Sequence, residues 1–408
     1  MNGIILIGEL RSLVERKRPQ GAHLRGKRPQ GAHLRDMLWL FLGSRLALIL
    51  VTYFGYILLT QEKYSGAPVA FNTFLNNWNQ WDATRYIHIA QYGYRPPYDL
   101  AFFPLFSLLI AIPGHLLGDW SYLPLGMLIS NLALLGALFV LYQLATDAGG
   151  EQVGRRAILY PCIFPTAFFF FAAYNESLFL LLSSATLLAL RRQRWWLAGL
   201  FGLLAALTRS AGVMLAAPYL YELWLARESV LSSKRRLLAS TLPIVLIPLG
   251  LALYCLYCWK VSGNPLMFAV VQPHWGRQTS WPWQGFIQVI FELFVHQPFG
   301  SFNQVHILLD TTATAAFIVL AIVGRKKLRP TYTLWIALLL LSVLVSSSIG
   351  QRDPFISNQR FVLEMFPAFI TLAMISVRRP RLHQALLWIF PALLATLTLL
   401  FVMGRWMV

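Results

Sequence analysis

Few residues in this chain can do chemistry, and they stand out against an apolar background. Asp82 follows Trp81, with Arg85 three residues on, inside a polar and aromatic run that extends from residue 78 to residue 106. Glu176 sits in Tyr174-Asn175-Glu176-Ser177, Arg209 in Thr208-Arg209-Ser210, and Arg360 directly after Gln359. A carboxylate can take a proton from an attacking hydroxyl, and a guanidinium fork suits a phosphate better than an ammonium does. Asp82 therefore reads as a general base and Arg209 and Arg360 as phosphate-binding residues, with Glu176 a second carboxylate for an acceptor hydroxyl or a divalent ion. No Asp-x-Asp pair occurs, so the expected site has no metal and requires no cofactor, a divalent metal being the alternative.

Each of these residues also has a plainer reading. Arg209 and Arg360 at helix ends could snorkel to lipid headgroups. Glu176 and Asp82 could each serve as an acid at a helix start. Asp99 and Asp353 read as solvated loop acids, and His88 and His274 as hydrogen-bonded structural histidines. The aromatic run 168–171 reads first as helix facing lipid or core, and second as a wall for a polyprenyl tail.

The elements that must position these groups are membrane helices. Of 408 residues 57% are hydrophobic and 12% charged, and the mean hydropathy is +0.58, which places the chain among all-α polytopic membrane proteins. The formal net charge of +18 would suggest nucleic acid in a soluble protein. Here the basic residues fall in short clusters between apolar runs, the pattern of the positive-inside rule, and no nucleic-acid partner is implied. Cys162, Cys255 and Cys258 lie in apolar runs and suggest no disulfide framework.

Residues 1–36 read as a basic cytoplasmic tail in which 16–25 recur almost unchanged as 26–35, and residues 37–408 as one transmembrane catalytic domain. Contact of the tail with anionic lipids is one reading and a neutral duplication the other. Residues 37–59 can span a bilayer, which puts the first loop, 60–121, outside. Parity then decides the rest. If 102–117 also spanned, the Arg155/Arg156 cluster and every later one would fall on the wrong side, so 102–117 is expected to be a re-entrant or interfacial helix. The scheme closes with about eleven spans, a second long outside loop at 260–302, a cytoplasmic N-terminus and a chemically equipped exoplasmic face. The membrane would be the plasma membrane in a prokaryote and the endoplasmic reticulum in a eukaryote.

Trp81-Asp82-Ala83-Thr84-Arg85-Tyr86, followed by Ile89-Ala90-Gln91-Tyr92-Gly93-Tyr94 and Ala101-Phe102-Phe103-Pro104-Leu105, resembles the first exoplasmic loop of the PIG-V mannosyltransferase family. The likeness continues in Ala173-Tyr174-Asn175-Glu176-Ser177-Leu178-Phe179, in Leu207-Thr208-Arg209-Ser210-Ala211-Gly212 and more loosely in Gln359-Arg360-Phe361. It implies a GT-C type glycosyltransferase bundle that transfers mannose, with inversion, from a polyprenyl- or dolichyl-phosphate donor to a lipid or glycan acceptor. Carried over, Asp82 and Glu176 are the catalytic candidates, Arg209 and Arg360 the donor-phosphate candidates, and Trp81, Arg85, Tyr174 and Asn175 the substrate-binding ones. The rival reading is a transporter or flippase of polyprenyl-linked lipid, which needs basic phosphate contacts and no general base.

Overall fold

A computed structural model describes residues 30–60 and 68–405. The tandem duplication falls largely outside the described residues, as does the start of the first loop. The main helices are α1 (Gln30–Thr60), α2 (Asp82–Tyr92), α3 (Pro104–Leu117), α4 (Tyr122–Gly149), α5 (Glu151–Ile163), α6 (Glu176–Arg191), α7 (Trp195–Thr208), α8 (Ala216–Leu225), α9 (Leu246–Ser262), α10 (Gln284–Phe291), α11 (Phe302–Gly324), α12 (Pro330–Val345), α13 (Phe366–Arg378) and α14 (Pro380–Val402). No strand occurs among the described residues.

Local sequence accounts for the helix ends that matter most. Pro104 starts α3, where its missing N–H is no loss, and Gly118 stops it at φ 91°, a conformation only glycine adopts freely. Gly150, at φ 86°, likewise separates α4 from α5. The sequence is apolar around all of α6, and the helix is buried along almost its whole length between α4 and α7. On the far side of α7 the backbones nearly touch: a Cβ at Gly250 of α9 would lie 2.5 Å from the Leu203 carbonyl oxygen, and one at Gly202 would lie 2.6 Å from Ile247. Without a hydrophobic force between helices in lipid, such close approach of small residues holds them together.

Among the described residues, five helices are long and apolar enough to cross a membrane, or six if the segment 358–364 and α13, bent by 82°, make one broken span. The expected number of about eleven is not established by length and composition alone. Helix α3 has 14 residues, as has α7, and α12 has 16. At 1.5 Å per residue they reach about 21–24 Å, short of the roughly 30 Å hydrocarbon core. Short helices are tolerated at membrane depth where protein surrounds them, which the burial of the equally short α6 illustrates.

Helix α4, with 28 residues, is about 42 Å long and spans comfortably. Cysteines introduced at the exposed positions Asp119 and Gln152 should therefore react with impermeant reagents from opposite sides of the membrane. Same-side labelling would remove α4 as a span.

Candidate active site

Asp82 opens α2 and Arg360 lies in the short segment Asn358–Phe361 that precedes α13. Each is introduced by a non-glycine residue at positive φ: Trp81 at 53° and Ser357 at 67°. For a tryptophan this is a costly backbone state, and it aims the chain so that Asp82 faces inward. Tyr174 supports both sides of the junction. Its hydroxyl donates to the Gln80 carbonyl at 3.0 Å, and its ring lies under the Arg360 guanidinium at 4.6 Å.

The charged groups form one alternating chain. Arg360 Nη1 donates to Asp82 Oδ2 at 2.6 Å and its Nε donates to Glu176 Oε1. Arg209 donates from Nη2 to the same Glu176 oxygen at 3.2 Å and from Nη1 to Glu364. Glu176 has no exposure at all, and an unpaired carboxylate in such a place would be prohibitive. Arg209 holds its position because the turn after α7 is locked: Asn175 Nδ2 donates to the Thr208 carbonyl at 3.0 Å, and Gly212 packs where a Cβ would lie 2.4 Å from the Ala205 backbone.

One face of this chain opens into a cavity of about 520 Å³, with Asp82, Asn175, Arg209, Arg360 and Glu364 in its wall. Glu176 lies behind that wall rather than in it. Tyr174 is buried beneath Arg360, and neither Trp81 nor Arg85 belongs to the cavity lining. Arg85 is half exposed and points to Asp99 at 3.8 Å and to the Trp275 ring at 5.5 Å.

Sequence reasoning passed over part of the opposite wall, which comes from the 260–302 loop. Gln272, Trp275 and Arg277 line the cavity. Arg277 donates to the Ser346 and Ile356 carbonyls at 2.8 and 2.7 Å, and its guanidinium lies 4.5 Å from the Phe361 ring centre. Among the described residues it has no carboxylate within ion-pair distance, unlike Arg209 and Arg360. Burial, and next the neighbouring charges of Arg360 and Arg209, push its guanidinium down to about 10, so it stays cationic at neutral pH. A tryptophan and an arginine two residues apart in the 260–302 loop were the available signal. Glu364 gave none, since it sits in an apolar run and acquires meaning only from Arg209.

The expectations for Asp99, Asp353 and His88 are corrected. Asp99 and Asp353 are buried rather than solvated: Asp99 accepts from the Arg95 amide at 2.9 Å, and Asp353 accepts from the Phe355 amide at 2.8 Å. Their short side chains bond to the backbone of their own turns, which sequence shows poorly. His88 has no hydrogen-bond partner on either ring nitrogen, although it lies 3.9 Å from Asp99, whereas His274 stacks on Tyr98. The run 168–171 faces the core, with Arg360 5.2 Å from the Phe169 ring.

Residues 67–261 match the family model described as mannosyltransferase (PIG-V), in agreement with the resemblance carried by the Asp82, Glu176 and Arg209 motifs. No curated sequence matches the chain. Among solved structures, ArnT from Cupriavidus metallidurans bound to undecaprenyl phosphate is similar over 86% of this chain and 62% of its own, at 16% identity and a TM-score of 0.50. The oligosaccharyltransferase of Archaeoglobus fulgidus is similar over 86% of this chain and 53% of its own, at 14% identity and a TM-score of 0.41. The chain thus spans less than two thirds of either. The fold is the all-α GT-C type.

Glu176 is the hinge of the charge chain, so Glu176→Gln leaves Arg360 and Arg209 each short of a buried partner. The cost should be about 3 kcal/mol, within the range for breaking one side of a buried pair. It is read as a lowered thermal unfolding temperature in detergent; an unchanged temperature would contradict the pairing.

Proposed function

We propose that the chain is a membrane glycosyltransferase that takes a sugar, mannose by its family resemblance, from a polyprenyl- or dolichyl-phosphate carrier and passes it to a lipid or glycan hydroxyl on the exoplasmic face. The observation that carries this reading is the pairing, across one cavity, of a partly open carboxylate, Asp82, with an arginine free of carboxylate partners, Arg277. The undecaprenyl phosphate bound to the structurally similar ArnT supports a carrier of that class.

In this mechanism the acceptor hydroxyl loses its proton to Asp82 as its oxygen forms a bond to the anomeric carbon. The bond from that carbon to the phosphate oxygen breaks on the opposite side, which inverts the centre, and the phosphate leaves with the electron pair. Arg277 and the open flank of Arg209 meet the charge that develops on the leaving phosphate, where preorganised donors are worth most. Arg360 holds the Asp82 carboxylate in place and acts as a positioning residue. Asn175 Oδ1, buried with no hydrogen-bond partner, is available to accept from a sugar hydroxyl.

Transfer from defined polyprenyl-phosphate sugars to endogenous acceptors in membranes tests the assignment. Asp82→Asn should reduce transfer by about 100-fold or more while the protein stays folded and inserted. Arg277→Gln should reduce it by a similar factor of about 100, with Arg277→Lys intermediate. Full transfer in Asp82→Asn would remove Asp82 from the mechanism, whereas absence of any transfer by the wild type would favour carriage of the lipid without chemistry.

A further inference from the structure

Behind the Arg360 segment, away from the cavity, three side chains converge that the transfer reaction does not use. His306 and Asp310 stand one turn apart on α11, and Asp353 reaches them from the loop that follows α12. His306 Nδ1 is 2.9 Å from Asp353 Oδ2 and 3.6 Å from Asp310 Oδ2, and one donor atom from each of the three lies within 4.8 Å of the others. Their exposures are 5%, 0% and 7% for His306, Asp310 and Asp353.

We infer that His306, Asp310 and Asp353 form a divalent-cation site, suited to Zn²⁺ or Mn²⁺, that pins the 346–357 loop to α11. Four observations carry this. The second carboxylate oxygens are already spent on the backbone, Asp310 Oδ1 accepting from the Gln359 amide and Asp353 Oδ1 from the Phe355 amide, both at 2.8 Å. That fixes both carboxylates and leaves one oxygen of each turned to the imidazole. Asp310 Oδ2 has no hydrogen-bond partner although its residue has no exposure, a costly state that a cation would relieve. Two ligands each about 2.0–2.1 Å from zinc at the tetrahedral angle lie about 3.4 Å apart, so the observed separations need little movement. One imidazole nitrogen with two carboxylate oxygens is a donor set for zinc or manganese rather than for calcium.

Arg277 acts on Asp310 electrostatically, but its observed hydrogen bonds go to the Ser346 and Ile356 carbonyls. Those two carbonyls lie at the ends of the loop that carries Asp353. An ion at the cluster would thus hold the segment that positions Arg277, Ser357 and Arg360, one layer removed from the reacting atoms.

The test is equilibrium dialysis of the purified full chain, stripped with a chelator, against Zn²⁺ or Mn²⁺, with elemental analysis and thermal unfolding as readouts. About one ion per chain and a raised unfolding temperature are expected. Asp353→Asn and His306→Gln should each weaken binding tenfold or more, and Asp82→Asn should leave it unchanged. Spin-echo spectra of the Mn²⁺ form should show modulation from an imidazole nitrogen, which the carboxylates of the cavity cannot supply, so the assignment is decided even if the ligand variants fail to fold. Loss of the ion in Asp82→Asn, a spectrum without nitrogen coupling, or no saturable binding in the wild type would each overturn the proposal.

Discussion

A carboxylate with no exposure, Glu176, lies between two guanidiniums, and the other site residues take their positions from that arrangement. Burying one charge inside a membrane protein costs several kcal/mol, and each partner that offsets the cost must itself be fixed. Arg360 and Arg209 therefore cannot wander, and the acids at the far ends, Asp82 and Glu364, are pinned in turn. The result is a carboxylate, the proposed general base, whose direction is set by a residue 278 positions away in the chain. A rigid site of this kind suits a reaction that depends on placing a hydroxyl, an anomeric carbon and a phosphate in line.

Carboxylate pairing of Arg209 and Arg360 gives the third arginine its significance. Arg277 satisfies two donors on backbone carbonyls, and in doing so joins both ends of the 346–356 loop while leaving its charge without a carboxylate partner. The same loop carries Asp353 to the His306 and Asp310 cluster, so one short segment links the Arg277 wall of the cavity to the proposed cation site. Helix α6, buried nearly throughout, is the scaffold from which Glu176 is presented, and the glycine contacts between α7 and α9 keep the Arg209 turn against it.

Much of the fold was legible because lipid enforces simple rules. The apolar runs 178–190, 195–207, 305–324 and 382–403 coincide with α6, α7, α11 and α14 to within a few residues, since apolar runs between Arg clusters leave little else for the backbone to do. The segment 102–117 was expected to stop short of a span on charge parity alone, and α3 is about 21 Å long for its 14 residues. The boundary between broken and continuous spans was not legible. The 82° bend falls at Met365, between α13 and the segment 358–364 whose Arg360 is paired with Glu176, a contact invisible in local sequence.

The sequence by itself determined that this is a helical membrane protein and that Asp82, Glu176, Arg209 and Arg360 stand out in it, because a charge in an apolar run needs a reason wherever the chain puts it. Only the tertiary structure decided how those four divide their work. Ion pairing holds Arg209 and Arg360 in place, burial withdraws Glu176 and Tyr174 from the cavity, and a loop with little pattern of its own supplies Arg277. Which charges cancel and which stay open depends on distances between residues far apart in the chain, and composition and spacing carry no such distances.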